Sequence, residues 1–220
     1  MRKFDFSIGD KFSKRLFKKS AIISTPKDKD NVYIISKGKV ELDEIHNDHK
    51  FIHSILRKGE IFGDFGFDIY PPVFTLALEN TEITIIKTSQ LAEILSQNKK
   101  YLFNLLNYFY IKLLIAQEKT VSMAFDDVST RLIILLWQLS KPTSLSSDKY
   151  KTDKFTHQQL AHMLGVSRQT VTVTINNLKE KGLIKNHSKL FTFNKEILTK
   201  KAERTFDEID KIQLKLERFK

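Results

Sequence analysis

The sequence predicts an α+β chain: an N-terminal β-roll of jelly-roll type, one long helix, and a C-terminal winged helix-turn-helix. Three observations carry that expectation. Short apolar runs separated by turns fill residues 21–89, apolar residues recur at steps of four and three along residues 102–123, and residues 155–184 hold two short amphipathic helices around a glycine. At 220 residues there is room for two modest domains, each with its own core.

Residues 1–20 mix Phe and Ile with paired Lys and Arg and read as a short lead-in helix. From Ala21 the runs AIIS, NVYIISKGKVELDEI, KFIHSILRKGEIFGDFGF, PVFTLALEN and TEITIIKTS are separated by PKDKD, HNDH, DIYPP and NT. Short strands at that spacing argue for an all-β barrel or jelly roll, with Gly38 and Gly59 at two of its turns. SQLAEILSQ is a short helix. The long helix is expected from Lys99 to Phe125, where Leu102, Leu106, Phe109, Leu113, Ala116, Thr120 and Met123 form a coiled-coil seam. Leu105, Tyr108 and Leu114 lie off that seam, so a second face is apolar too. FDDVSTRLIILLWQLSK resumes as a helix after a break at Asp126–Asp127; KPTSLSSDKYKTDK then reads as a loop, KNHSKLFTFN as a β-wing and KEILTKKAERTFDEIDKIQLKLERFK as a charged helical tail. The expected divisions are 1–98 for the roll, 99–126 for the long helix, 127–198 for the winged helix-turn-helix and 199–220 for the tail.

The helix pair is the stretch that states a function. Thr156 is a good N-cap, and Leu160, Ala161 and Leu164 follow at helical spacing. Gly165 supplies the turn, and Ser167 caps a second helix whose inward face is Val171, Ile175 and Leu178. The residues leading that helix, Arg168, Gln169, Thr170 and Thr172, are long or hydroxylated, as contacts to base edges and phosphates require. With Thr156, His157, Gln158 and Ser167 they form the expected contact surface for double-stranded DNA, and Lys185, His187 and Lys189 of the wing would meet the phosphate backbone. Charge agrees. From Lys141 onward 17 Lys and Arg oppose 9 Asp and Glu, against 20 and 17 in the first 140 residues.

Other chemistries are disfavoured. With no cysteine, disulfides, thiolate metal sites and thiol nucleophiles are all excluded. His46, His49 and His53 straddle a hairpin turn without a fourth ligand, and His157 and His162, five apart, do not share a helical face. Asp126 and Asp127 suit a helix cap better than acid–base work. There is no Ser-His-Asp arrangement, Walker loop or metalloprotease motif, so neither an enzyme nor a cofactor is expected. No apolar run reaches the ~18 residues of a membrane helix, and the start has no signal-peptide core. A bacterial cytoplasm or a plastid stroma is the expected location, and the scarcity of Arg, 7 of 37 basic residues, suits an AT-rich genome of either kind.

These motifs resemble the Crp/Fnr superfamily, the cyclic-AMP receptor protein and fumarate–nitrate regulators. The helix-turn-helix and DVSTRL are similar to its DNA-binding end and hinge, and YIISKGKVEL with RKGEIFGDFGF is similar to its effector-binding β-roll, so the roll is cyclic-nucleotide-binding-like. The resemblance runs from about Lys11 to Leu198. It implies a homodimer paired along the long helix, an effector held by the Gly-rich segment around Gly63 and Gly66, and a surface loop that touches RNA polymerase. The family's phosphate-binding Arg-Ser is missing, since no Arg lies between Lys58 and Lys87, which argues against a cyclic nucleotide. TVTVT looks most like the nitrogen-control branch of cyanobacteria and plastids, activators that sense 2-oxoglutarate. By that likeness Phe62, Gly63, Asp64 and Phe65, with Lys112 and Gln117 on the long helix, would hold a small anionic effector. Where most members carry a guanine-reading Arg, this chain has Val173, which shifts base readout toward Arg168 and Gln169.

The expected function is therefore that of a dimeric, sequence-specific transcription regulator, with nitrogen control as its theme. Two alternatives from other classes are a constitutive DNA binder with a vestigial roll and a protein-interaction module that binds no DNA.

Overall fold

The computed structural model describes residues 12–66, 73–144 and 148–194. The DIYPP turn and the helical tail 199–220 fall outside the described residues, as does the lead-in helix up to residue 11. The chain divides into two compact units, residues 1–110 and 111–220, the division falling within the long helix.

The first unit holds β1 (Lys14–Phe17), β2 (Ile22–Ser24), β3 (Asn31–Lys37), β4 (Lys39–His46), β5 (His49–Arg57), β6 (Ile61–Gly63), β7 (Val73–Ala77), β8 (Thr81–Lys87) and α1 (Thr88–Gln97). They form two four-stranded sheets, ordered β1-β8-β3-β6 and β2-β7-β4-β5. Tyr33, Ile35, Phe62 and Ile83 of the first sheet meet Ile23, Val40, Leu56 and Ala77 of the second in a shared core, which makes the pair a jelly roll. The alternate residues of the first sheet, Val32, Ile34, Ile61 and Ile86, pack against Leu91 of α1 and against Leu105 and Tyr108 of α2 (Lys99–Phe125). Both faces of β3 are thus buried, which is why NVYII reads as a continuous apolar run instead of alternating. The β4–β5 hairpin closes through Asn47 and Asp48, both with positive φ, the twist-matched two-residue turn.

The lead-in helix is corrected over its described part. Residues 14–17 are an edge strand, paired antiparallel with β8 from Lys14↔Thr84 to Phe17↔Thr81. A four-residue segment with one buried side chain has too little periodicity to announce its type, and the free edge of β8 decides it. Phe17 enters the inter-sheet core, with the Arg15 guanidinium 5.0 Å from its ring centroid.

The long helix spans the residues that its heptads predict. Every seam residue from Leu102 to Met123 is exposed in the single chain, Leu106 and Leu113 by 54% each, while Leu105 and Tyr108 are buried. The helix has two working faces, and only one of them is covered.

In the second unit α3 (Val128–Gln138) starts at the Asp127 cap, whose carboxylate accepts the Thr130 amide at 2.7 Å. The loop expected at 141–154 is corrected: β9 (Ser140–Pro142) and β10 (Lys149–Thr152) pair with each other and extend the wing sheet, which is ordered β11-β12-β10-β9 with β11 (Lys185–His187) and β12 (Leu190–Asn194). Ladder hydrogen bonds are made by backbone, so the Lys-rich composition hid the strands. Tyr150 is their apolar anchor, stacked on Phe193 and tilted against Trp137.

Candidate nucleic-acid interface and effector site

The helix-turn-helix consists of α4 (His157–Leu164) and α5 (Arg168–Glu180). Thr156 and Gln159 form a reciprocal capping box at the start of α4. Gly165 ends α4 with φ 66°, a left-handed conformation that a Cβ would oppose. Ser167 Oγ accepts the Thr170 amide at 3.0 Å and opens α5. Leu160, Ala161 and Leu164 of α4 and Val171, Ile175 and Leu178 of α5 are buried, and the Arg131 guanidinium of α3 donates to the Leu164 carbonyl. α3 and α4 hold α5 by one face and leave the other open.

That open face carries the expected DNA-contact residues. Arg168 and Gln169 are exposed at its N-terminal end, where backbone dipoles favour an anion. Thr172 is braced: its hydroxyl donates to the Arg168 carbonyl at 2.9 Å and therefore accepts from His157 Nδ1 at 2.9 Å. The bond assigns the neutral His157 proton to Nδ1 and leaves Nε2 as an acceptor. Burial, followed by the charges of Arg168 and Lys179, pushes the His157 pKa below its ordinary value. Gln158 is linked to His162 at 2.6 Å, and the Thr170 hydroxyl to that of Ser167 at 2.8 Å. In the wing, Lys185, His187 and Lys189 are all exposed, flanking a turn at Ser188–Lys189 with positive φ at both residues. Reasoning from the sequence missed Asn176, which is exposed seven residues after Gln169. Its helical phase, opposite Val171 and Ile175, was the available signal.

The expected effector residues are arranged differently from an open anion cradle. Phe62 is buried and stacked on Tyr33 with centroids 5.1 Å apart, a core side chain. Gly63, at φ 117°, lies so close to β3 that an added Cβ would stand 2.4 Å from the Asn31 carbonyl oxygen. The close approach its missing side chain permits is thus to this chain's own strand. The Asp64 carboxylate accepts the Gly66 amide at 2.7 Å and the Asp30 amide at 2.9 Å, and the Asp64 amide donates to Asn31. The Asp64 and Gly66 amides of the Gly-rich segment are thus bonded within the chain, and the hydrogen bonds from Asp30 and Gly66 hold the Asp64 pKa below the usual carboxylate range. Phe65 meets Phe109 edge to face at 4.9 Å. Lys112 is half-buried and Gln117 exposed on α2, in the second unit. Of the three histidines around the hairpin turn, His53 lies within β5 with its Nε2 2.9 Å from the Glu44 carboxylate. Among the described residues no group of three His, Cys, Asp or Glu is placed to hold a metal ion, and no helix is long and apolar enough to cross a membrane.

Comparison with known proteins fits this geometry. A family model of the Crp-like helix-turn-helix domain matches residues 130–200, and one of the cyclic nucleotide-binding domain matches residues 14–98. The cAMP-activated global transcriptional regulator CRP of Salmonella typhimurium is 26% identical over 176 residues, covering 78% of this chain and 84% of that protein. The Global nitrogen regulator of Nostoc sp. is 25% identical over 191 residues, covering 82% and 85%. Among solved structures, a CooA mutant from Carboxydothermus hydrogenoformans matches with TM-score 0.75 at 24% identity over 88% of each chain. FixK2 from Bradyrhizobium japonicum matches with TM-score 0.72 at 15% identity, over 86% of this chain and 96% of that one.

A sensor roll of the cyclic-nucleotide-binding type and a winged helix-turn-helix on one chain define a DNA-binding transcription regulator, not an enzyme. This chain belongs to the Crp/Fnr family, whose members bind DNA and are dimers.

Proposed function

We propose that two copies of this chain pair along α2 and present their α5 helices to successive major grooves, about 34 Å apart. In this reading Arg168 and Gln169 lead the base contacts, Ser167 and Thr170 face a phosphate, and Lys185, His187 and Lys189 grip the backbone beside the groove. The observation that carries it is the α5 face: capped at Ser167, held by α3 and α4 and open along Arg168 and Gln169. The finer proposal is a nitrogen-control activator that answers a small anion such as 2-oxoglutarate and engages RNA polymerase, in a bacterial cytoplasm or plastid. The TVTVT run and the likeness to the Nostoc Global nitrogen regulator support it, with Lys112 as the cation offered to the anion.

The Asp64 loop favours a second reading. Its amides are bound internally and its carboxylate is held ionised, so the roll would repel an anion there, and the protein would bind its operator constitutively.

Operator selection from random duplexes, run with and without 2-oxoglutarate at fixed salt, separates the two. A palindrome bound more tightly with the anion supports the sensor, and equal binding supports the constitutive reading. Arg168→Ala is expected to weaken binding to the selected palindrome roughly tenfold or more. An unchanged titration curve would remove Arg168 from the readout.

A further inference from the structure

The outward face of α5 has its own chemical composition. At 3.6 residues per turn, Val171, Thr174, Ile175 and Leu178 point inward and are buried. Opposite them, Gln169, Val173 and Asn176 form one outward stripe, all exposed, at spacings of four and three. Arg168 and Lys179 lie on one flank of that stripe, beside Thr172 and His157, so that Arg168 reaches a base edge from the flank and Lys179 suits a phosphate strand. The first two turns of the stripe therefore contain two carboxamides and one branched alkyl group and no cation, and the exposed carboxylate of Glu180 follows only at its C-terminal end.

Val173 is the telling residue. It is 53% exposed, while Val171, two residues earlier, is fully buried. An isopropyl group makes no hydrogen bond to any base edge, and the one apolar group in the major groove is the thymine methyl. A carboxamide offers one donor and one acceptor, matching adenine N7 and N6, whereas guanine O6 and N7 ask for two donors. A G·C pair opposite Val173 would lose water from its polar edge and gain no partner.

We infer that the centre of each half-site is A·T, with Gln169 and Asn176 set for adenine edges and Val173 for a thymine methyl. The inference rests on the DNA-reading function proposed above and specifies its partner.

The test pairs a base change with a protein change. Selected duplexes are expected to carry A·T at the positions facing Gln169, Val173 and Asn176. Replacing the thymine opposite Val173 by deoxyuridine, which removes only the methyl, should weaken the wild-type chain roughly fourfold, as expected for burying one methyl. Val173→Ala should bind both duplexes alike, and its melting temperature should match wild type because the side chain is exposed. Val173→Arg should shift selection toward guanine at the same position. Selected half-sites with G·C opposite Val173, or an equal deoxyuridine effect in wild type and Val173→Ala, would overturn the inference and leave DNA binding intact. Salt-dependent binding with no sequence preference would do the same. Failure to bind any duplex would overturn the proposed function, and this inference with it.

Discussion

His157 joins α4 to α5 through Thr172, and its environment makes the joint sensitive to acid. In the folded chain its pKa lies below the ordinary value, while in the unfolded chain it protonates near pH 6.5, so over that interval the unfolded state binds more protons. The associated stability is complete above about pH 6.5 and is lost as pH falls through the lower folded value. Thermal melts at pH 7.5 and pH 5.0 should show a larger drop in wild type than in His157→Gln; equal drops would assign the acid response to other groups. Residue-scale chemistry was only partly legible in the sequence. The caps Thr156, Asp127 and Ser167 are local and were read directly, because side chain and target amide lie within three residues. The role of Gly63 was not, because the atom it avoids belongs to Asn31, across a strand pair that only the fold creates.

At the scale of elements, legibility follows periodicity. Twenty-seven residues of α2 carry enough heptads to fix both ends, and the helix-turn-helix carries caps as well as period. The short strands β1, β9 and β10 carry neither, being three or four residues long and held by their neighbours' backbones. The α2 seam also yields a prediction. Leu106 and Leu113 are exposed in the single chain, so replacing both by Glu should leave the fold and its circular dichroism intact. Sedimentation should then show a monomer where wild type shows a dimer, and affinity for the palindrome should fall at least tenfold. A dimer that survives both charges would place the pairing surface elsewhere.

For the whole molecule, charge and fold divide along the chain in the same way. The basic excess lies beyond Lys141 with α5 and the wing, while the roll sits in the nearly balanced part. Duplex affinity should therefore fall steeply between 50 and 200 mM salt, with a logarithmic slope of about −0.9 for each phosphate neutralised. Lys185→Ala and Lys189→Ala should each lower that slope by about 1 in fluorescence titrations, for specific and random duplexes alike. A slope unchanged in both variants would lift the wing off the DNA.

The uncovered seam of α2 has a consequence for dosage. A chain that must meet its own copy before it grips an operator responds to its own abundance as a square. At low expression, halving the number of chains would cut promoter occupancy about fourfold, by mass action. A helix left half bare thus makes gene output depend on how many copies are made, before any effector is added.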